Sequence, residues 1–258
     1  MVQQISGAQV VSRAIELLKL VSVRTEKGWL VPDLVAKLRL TRPTVYRLLA
    51  ALEASGLIEQ DKESRRWHLG QESYVLGTLA AGRFNIERIC RNSIVRVAQT
   101  TGESTFLSIR RGDESVCLIR EEGTYPIRTH VLQAGDRYPL GVGAASLAML
   151  AAMPEAECDA AIDANRVQFK ERFPRFTAKL VKELVAEARL TGYAVNRGLF
   201  LAGSWGIAAP IHVGPHIPPA AISITAVEAR LQPKRQLELG NLLTTEAEVL
   251  GKLLAGSS

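Results

Sequence analysis

The sequence predicts an α+β protein in two parts: a small helical part that ends in a β-hairpin, and a larger part in which helices alternate with antiparallel strands. Two observations carry this prediction. Apolar residues recur at helical spacing in the first part, and two strand-like runs, residues 57–60 and 66–69, then flank the turn-rich residues 61–64. Beyond residue 84, strand-like runs joined by Gly112-Asp113 alternate with helical segments, which favours an antiparallel sheet.

Three helices are predicted before the first hairpin. The first covers residues 9–22 and presents one apolar face, formed by Val10, Ala14, Leu17, Leu18 and Val21. The second covers residues 31–38, with Pro32 suited to its first turn. The third begins at Thr41, whose hydroxyl is expected to accept hydrogen bonds from the free N–H groups of the first turn. Three helices and a hairpin form the order of a winged helix–turn–helix.

The segment of residues 31–54 has the chemistry expected of a DNA-binding surface. Two helices joined by a short turn allow the second to lie in the major groove while the first braces it. Hydroxyl and guanidinium groups on the second helix can bind phosphates or base edges, and two arginines lie where a wing would meet the DNA backbone. The predicted DNA-binding residues are Thr41, Arg42, Thr44, Tyr46, Arg47, Arg65 and Arg66. The plain alternative is a solvated helical face with scattered charges.

The charge distribution agrees with double-stranded DNA as a partner. The 258-residue chain has a net charge of +6, and residues 1–70 contribute +4 of it through 11 basic and 7 acidic side chains. An excess of basic side chains favours binding to a polyanion such as DNA. Because many other proteins are basic, the helix pattern and not the charge carries the prediction.

The cellular location is predicted from the cysteines and from apolar runs. Cys90, Cys117 and Cys158 are far apart and lack CxxC spacing, which predicts reduced thiols rather than a disulfide framework. No apolar run is long enough to cross a bilayer, and the N-terminal residues lack the order of a signal peptide. We therefore expect a cytoplasmic protein with no membrane partner.

The sequence predicts no catalytic residue, no metal and no cofactor. His212 and His216 lie in a proline-rich stretch without further ligands nearby in sequence. The run GVGAAS at 141–146 lacks the βαβ setting of a nucleotide-binding loop. The run AGSWG at 202–206 does not have the glycine spacing of a nucleophile elbow.

The first part of the chain resembles the IclR family of transcription regulators. The runs SRAIELL (12–18), PTVYRLL (43–49) and LEASGLIE (52–59) are similar to the family's opening helix, recognition helix and the segment after it. The run WHLG (67–70) closes the wing where the family has Tyr-x-Leu-Gly. Arg39 is a departure, because the turn between the two helices often holds Gly, so Arg39 requires a strained or altered turn.

The resemblance continues to the C-terminus and implies a GAF-like effector domain, with a curved antiparallel sheet and a pocket on one face. Residues 102–118 resemble its first hairpin, and residues 134–150 resemble the segment in which small residues lead into a helix. Residues 192–200, 206–211 and 221–225 resemble its remaining core strands. The implied domains are a winged helix–turn–helix at 1–70, a linker helix at 71–83 and the effector-binding domain at 84–258.

The small residues at 141–146 give a physical reason to expect a ligand site. At a helix N-terminus they allow a ligand to reach N–H groups of partial positive charge, which suits a carboxylate. The alternative is that they serve close helix–sheet packing. Gly141 and Gly206 stand where the family often has His and Cys, and Ser146-Leu147 where it has Gly-Lys; a roomier pocket with one basic group fewer would fit a larger, even aromatic, acid. The resemblance implies effector contacts from Ile127, His130, Tyr138, Ala144, Ala145, Asn196, Ser204, Gly206, Ser223 and Thr225.

Together these features predict a ligand-responsive transcription regulator and not an enzyme. A homodimer, or a dimer of dimers, would present two recognition helices to successive major grooves and would therefore bind a palindromic operator. The first helix and residues 72–80 are the candidate contact surfaces. One alternative is an enzyme or small-molecule carrier that uses its helix–turn–helix for protein contacts; a nucleophile–base motif would favour it. Another is a purely architectural DNA-binding protein, which would not need the long second part.

Overall fold

A computed structural model describes residues 8–23, 27–82, 84–127, 132–212 and 219–256. Its contacts divide the chain into two compact units, residues 1–85 and residues 86–258. Both helices and antiparallel sheets are present, so the predicted α+β class is confirmed.

The first unit contains three helices, a hairpin and a further helix. In order these are α1 (Gln9–Ser22), α2 (Val31–Leu38), α3 (Arg42–Ala54), β1 (Ile58–Gln60), β2 (Trp67–Leu69) and α4 (Gln71–Ala81). The strands pair antiparallel, and Trp29 extends the hairpin by exchanging two backbone hydrogen bonds with Trp67, at 3.0 and 2.8 Å. Leu17, Leu34 and Leu49 are fully buried in the core that the three helices and the hairpin enclose. The predicted winged helix–turn–helix order is confirmed.

The first helix is present as predicted, although Val10 at the start of its apolar face is 69% exposed. One local prediction about this unit is wrong. Thr41 occupies the N-cap position of α3, but its hydroxyl makes no bond to the first turn and lies instead 2.9 Å from the hydroxyl of Thr44. Pro43 explains the difference in part, because it removes one of the two N–H groups that an N-cap side chain usually accepts from.

The turn between α2 and α3 has the unusual backbone that Arg39 was predicted to require. Arg39 adopts φ 53° and ψ 34°, the left-handed conformation. For a residue with a Cβ this conformation costs about 1–2 kcal/mol, and the packing of α2 on α3 holds it in place. The prediction of an altered turn is confirmed. Despite this conformation the connection is short, since α2 ends at Leu38 and α3 begins at Arg42.

The second unit is a six-stranded antiparallel sheet with helices on both faces. Its elements are α5 (Ile86–Thr101), β3 (Ser104–Arg111), β4 (Glu114–Glu121), β5 (Arg137–Pro139), α6 (Ala144–Ala151), α7 (Glu155–Ala164), α8 (Arg166–Arg172), α9 (Ala178–Thr191), β6 (Ala194–Leu201), β7 (Ser204–Ile211), β8 (Ala220–Val227), a 3-10 turn (Glu228–Arg230) and α10 (Pro233–Ala255). The strand order is β5-β4-β3-β8-β7-β6, and every neighbouring pair is antiparallel.

Side chains of the central strands alternate between two cores. On β8, Ile222 and Ile224 belong to the core that α5 and α10 cover, whereas Ala221 belongs to the core formed with α6 and α9. The same alternation separates Ile207 from Ala208 on β7. The sheet therefore has a mostly apolar face toward α5 and α10, and a second face toward α6 on which small and polar residues recur.

Some elements of this unit differ from the sequence-based expectation. The short strand β5 and the helix α8 were not predicted. A strand was expected at 127–132; Ile127 and Leu132 are not in a strand, and residues 128–131 lie outside the described part of the chain.

Candidate functional site

The recognition helix α3 has one buried face and one exposed face. Val45, Leu48 and Leu49 are buried against the rest of the first unit. On the other side, the side chains of Arg42 and Arg47 are exposed. Five predicted DNA-binding residues belong to the start of this helix or its cap: Thr41, Arg42, Thr44, Tyr46 and Arg47. Of these Thr44 is half-buried and the others are exposed.

Arg42 and Tyr46 form one contact on the exposed face. They are one helical turn apart, and the guanidinium carbon of Arg42 lies 5.7 Å from the centre of the Tyr46 ring. An Arg42 nitrogen also lies 3.5 Å from the Tyr46 hydroxyl. A cation near the ring face is attracted by the ring quadrupole. This contact brings a charge and a hydroxyl together at the helix N-terminus, the end that enters the groove in helix–turn–helix complexes.

The wing positions its two arginines differently. The turn is held by Asp61, which accepts hydrogen bonds from the backbone N–H and the hydroxyl of Ser64 at 2.7 and 2.6 Å; these bonds lower the pKa of the Asp61 carboxyl. Arg65 is exposed in this turn with φ 58°. Arg66 is half-buried and donates to the backbone oxygen of Lys27 at 3.2 Å. Arg65 therefore projects from the wing, whereas Arg66 ties it to the segment before Trp29.

The second unit contains a cavity of about 70 Å³ between the sheet and the N-terminus of α6. Eight of the ten predicted effector contacts line it: Tyr138, Ala144, Ala145, Asn196, Ser204, Gly206, Ser223 and Thr225. Ile127 is 59% exposed and is not among the lining residues. His130 lies outside the described residues. The structure thus brings together residues that are up to about 90 positions apart in the sequence, from Tyr138 to Thr225, while their contact with an effector stays a prediction.

The polar side of the cavity follows from strand alternation. Ser223 and Thr225 are two positions apart on β8, and Gly206 lies opposite Thr225 on the neighbouring strand β7. Asn196 of β6 in turn lies opposite Gly206. Small and polar residues on adjacent strands therefore form one patch on the face that α6 covers only in part. Val142, Gly143 and Ser146, from the run 141–146 on which the ligand site was predicted, also line the cavity. Further lining residues that the sequence did not single out are Ser108, Ser115, Leu132, Phe200, Trp205 and Ile224.

A strand-alternation argument would have found two of the missed residues. Ser108 and Ser115 are serines inside strongly apolar strands, β3 and β4, and both are buried. A hydroxyl inside a buried strand needs a polar partner, which is a signal readable from sequence. Phe200 carries no such signal, because its place depends on an irregular segment of β6.

Asn196 presents an unpaired hydrogen-bond donor in the cavity wall. The residue is 3% exposed, and its Oδ1 accepts from the backbone N–H of Leu199 at 3.0 Å. Because that N–H can only donate, the amide oxygen is fixed on this side. Among the described residues, no acceptor lies within hydrogen-bonding distance of the Asn196 Nδ2. A buried donor without a partner costs about 1–3 kcal/mol, a cost that a bound acceptor would remove.

The N-terminus of α6 supplies further donors. Leu147 is the first residue to bond back along the helix, to the oxygen of Gly143 at 3.1 Å, and the N–H groups of the first turn have no partner within the helix. Ala144 and Ala145 carry these groups and line the cavity. Ser146 also lines it, and its hydroxyl accepts from the N–H of Gly141 at 2.6 Å. Small side chains leave the positive end of the helix dipole accessible.

The expectation that Gly141 enlarges the pocket is wrong. A Cβ at Gly141 would lie 2.9 Å from the Phe169 ring and 3.0 Å from Val181, so neighbouring side chains already fill that space. At Gly206 a Cβ would lie 3.2 Å from the Cβ of Ala144, which shows close strand–helix packing. Open space is found at Gly143, the cap of α6, where a Cβ would meet no described atom within 4 Å. The argument for a larger acid from Gly141 therefore fails.

The described lining of the cavity is uncharged. Among the described residues, its lining includes no acidic, basic or histidine side chain. Burial raises the pKa of the Tyr138 hydroxyl to about 12, so this group is neutral near pH 7. The nearby Cys117 thiol is also neutral, because burial raises its pKa to about 12. The described part of the chain contains no cluster of three metal-ligating side chains, and within it no helix is both long and apolar enough to cross a bilayer.

Comparisons with known proteins agree with this arrangement. The family model described as "Bacterial transcriptional regulator IclR C-terminal" matches residues 78–251, and the one described as "IclR helix-turn-helix domain" matches residues 10–62. The HTH-type transcriptional repressor AllR of Klebsiella pneumoniae is 27% identical over 96% of this chain and 90% of its own length. The HTH-type transcriptional regulator BhcR of Paracoccus denitrificans is 28% identical over 95% of this chain and 86% of its own.

Solved structures show the same fold. The IclR transcriptional regulator from Alicyclobacillus acidocaldarius superposes with a TM-score of 0.77 at 21% identity, covering 97% of this chain and 99% of that one. An IclR homologue from Microbacterium hydrocarbonoxydans, complexed with 4-hydroxybenzoate, superposes with a TM-score of 0.72 at 20% identity, covering 96% and 100%. AllR is named as a transcriptional repressor and BhcR as a transcriptional regulator, and neither is named as an enzyme. The chain belongs to the IclR family of bacterial transcriptional regulators, with an N-terminal helix–turn–helix domain that binds DNA and a C-terminal effector domain.

Proposed function

We propose that this protein regulates transcription from a palindromic operator in response to a small carboxylic acid bound in the α6 cavity. The observation that carries the proposal is the unpaired, buried Nδ2 of Asn196 beside the N-terminus of α6. We assign residues 1–70 to DNA binding, 71–83 to a linker helix and 84–258 to effector binding. The proposed place of action is the cytoplasm, where the DNA target lies.

The chemistry of the lining favours an anion that accepts hydrogen bonds. The donors are the Asn196 amide, the first-turn N–H groups of α6 and the hydroxyls of Ser204, Ser223 and Thr225. A carboxylate offers two oxygens and a full negative charge, and it gains from the dipole of the helix. No ionised acid of the protein lines the cavity in the described residues, so nothing there repels it.

The size of the cavity favours a compact acid. A volume of about 70 Å³ accommodates roughly five to seven groups of water size, since one water needs about 10–15 Å³ on this scale. An acid with four to six heavy atoms fits that space, whereas an aromatic acid requires the lining to move. The 4-hydroxybenzoate bound to the Microbacterium homologue supports a carboxylic acid as the class of ligand. Because that ligand is larger than the cavity favours, a test should also include aromatic acids.

Exposed apolar side chains in the first unit support a dimer as the DNA-binding form. On α1, Val10 and Val11 are 69% and 59% exposed, and on α4, Tyr74 and Leu79 are 77% and 74% exposed. The helix α4 buries none of its residues within the chain. Faces of this kind favour association with a second copy, and a two-fold dimer would place two α3 helices on a palindrome. A dimer of such dimers is compatible with the same surfaces.

The regulatory step follows from linkage. If the acid binds better in one arrangement of the DNA-binding domains, it shifts the population toward that arrangement and changes operator affinity by the same factor by which DNA changes acid affinity. The sign of regulation depends on which arrangement it favours.

The test is fluorescence anisotropy of the purified protein on DNA fragments from beside its own gene, repeated with acetate, pyruvate, benzoate and 4-hydroxybenzoate. We expect specific binding that shifts with a compact acid. A fragment bound specifically and unaffected by every acid would contradict the effector proposal. Absence of specific binding at low salt, where phosphate contacts are strongest, would contradict operator recognition by this chain.

A further inference from the structure

One segment of the cavity wall is not a regular strand. Strand β6 loses its register with β7 between Arg197 and Leu201, and pairing resumes with Leu201 opposite Ser204. Gly198 and Gly203 have φ 72° and 78°, a conformation that side chains disfavour, and they bound the irregular part. The bulge, as the term is used here, covers residues 198–203: the unpaired residues 198–200, Leu201 and the turn to β7. It presents Phe200 to the cavity.

Phe200 forms one cluster with two other aromatic rings. Its ring meets that of Tyr138, which also lines the cavity, edge-on at 5.0 Å between centres and an interplanar angle of 84°. Phe173, which follows α8, stacks on Phe200 at 6.2 Å and meets Tyr138 edge-on at 5.9 Å. Edge-on and offset pairs are the favoured aromatic geometries. The ring of Phe200 is therefore held from behind by Phe173, which does not itself line the cavity.

Two hydrogen bonds fix the bulge to the rest of the wall. The backbone N–H of Leu199 donates to Asn196 Oδ1 at 3.0 Å, and Arg175 donates to the oxygen of Gly198 at 3.4 Å. The first bond connects the bulge to the same amide whose Nδ2 lacks an acceptor among the described residues. The bulge thus positions two groups: the ring of Phe200, and the Asn196 Nδ2 that would donate to a carboxylate.

We propose that Phe200 is the specificity-determining residue that limits the length of the acid, with Phe173 as the positioning residue behind it. This inference rests on the proposed function of the cavity. An acid anchored by its carboxylate on the polar donors must place its remaining atoms against the apolar lining. Trp205 is fixed in the regular part of β7, but Phe200 stands on the bulge, where a smaller side chain opens space without breaking a regular strand ladder.

The test is isothermal titration calorimetry of the full-length protein with pyruvate and with benzoate. In the unchanged protein, pyruvate should bind more tightly. In Phe200→Ala the ratio of the two dissociation constants should shift toward benzoate by about tenfold or more, since even one methylene in an apolar pocket changes discrimination by about 10–200-fold. Phe173→Ala should shift the ratio in the same direction by less, because Phe200 keeps its place in the lining but loses its support.

Leu201→Ala is the matched control, because Leu201 lies on the same bulge, is 50% exposed and is not among the lining residues. The ratio of the dissociation constants for pyruvate and benzoate in Leu201→Ala should equal that of the unchanged protein. Phe200→Leu provides a milder change with a smaller shift, and its thermal unfolding shows whether the domain remains folded. Unchanged ratios in folded Phe200 variants that still bind pyruvate would overturn this inference alone. Failure of the unchanged protein and of all variants to bind any acid would overturn the proposed function and this inference with it.

Discussion

The proposed DNA-binding face and the proposed effector cavity are both suited to anions, but they use opposite means. On α3 and the wing, the arginines Arg42, Arg47 and Arg65 are long, charged and exposed to solvent. In the cavity the donors are short, neutral and buried, and the described lining includes no cation. Mobile, exposed charges suit a long polyanion such as DNA, because they attract it over a distance and still allow it to dissociate. Fixed dipoles among buried residues suit a small acid that must be distinguished from other acids.

The difference shows where specificity comes from in each region. A charge on a flexible stem tolerates small errors in position, so it contributes affinity more than selectivity. A buried amide such as that of Asn196 has a direction fixed by its bond to Leu199, and a ligand without an acceptor at the right place would leave the amide donor unpaired. The two regions should therefore respond differently to salt, to isosteric substitution and to pH.

The largest expected difference is in the response to salt. Raising the NaCl concentration from 50 to 200 mM should weaken specific DNA binding by about a hundredfold or more, because each phosphate contact releases counterions. The same change should alter the affinity for the acid by less than about twofold, because the described lining of the cavity includes no charged side chain. Anisotropy on an operator fragment and calorimetry with the acid measure the two responses. Equal salt dependence of DNA binding and acid binding would contradict the proposed contrast between a charged DNA-binding face and an uncharged cavity.

A sharper test of the cavity is Asn196→Asp. The aspartate can still accept from the Leu199 N–H, but its second oxygen replaces the free donor with a negative charge. We expect the dissociation constant for the acid to rise by about ten- to hundredfold, which corresponds to the 1.5–3 kcal/mol of a hydrogen bond to a charged group. Asn92→Asp on the exposed face of α5 is the matched control and should leave acid binding unchanged. Full affinity in Asn196→Asp would show that the amide does not touch the ligand.

On the DNA-binding side, Arg47→Ala should weaken operator binding by about tenfold and lower the salt slope by about one for each copy of the chain. The physical reason is the loss of one phosphate contact per recognition helix. Binding titrations at several salt concentrations measure the slope. Arg166→Ala, an exposed arginine of the second unit that pairs with Asp163 at 2.8 Å, is the control. A weaker complex with an unchanged slope would assign Arg47 to a base contact and not to a phosphate.

The smallest expected effect concerns pH. The pKa of Tyr138 is raised by burial to about 12, and that of Cys117 is likewise raised to about 12, so both stay neutral between pH 7 and 9 while a carboxylic acid stays ionised. Acid affinity should change by less than about twofold over this range, as measured by calorimetry. Burial also raises the pKa of Asp136, which accepts from the Gln133 N–H. A loss of affinity with rising pH would contradict the neutral lining proposed here.

How far prediction from sequence reached can be traced in particular residues. The period of apolar residues indicated α1, α2 and α3, and all three are present, because a packed helix must bury one face. Two positions on one strand share a face, so Ser223 and Thr225 were expected together and line the same cavity. The hydroxyl of Thr41 was predicted to be a cap and is not, since a side-chain contact with Thr44 competes with the backbone. The space at Gly141 was misjudged, because Phe169 and Val181 come from distant parts of the chain.

The sequence by itself determined the kind of molecule: a winged helix–turn–helix with a basic recognition helix, followed by an antiparallel α+β domain with small residues at the start of α6. These features depend on local patterns, because helix and strand periodicity, turn residues and charge are read within a few neighbouring positions. Only the tertiary structure decided that neighbouring side chains fill the space at Gly141 while the space at Gly143 stays open. It also decided which way the Asn196 amide points and that Phe200 reaches the cavity from a bulge. Those outcomes depend on side chains from separate strands and helices meeting in space, which no local pattern specifies.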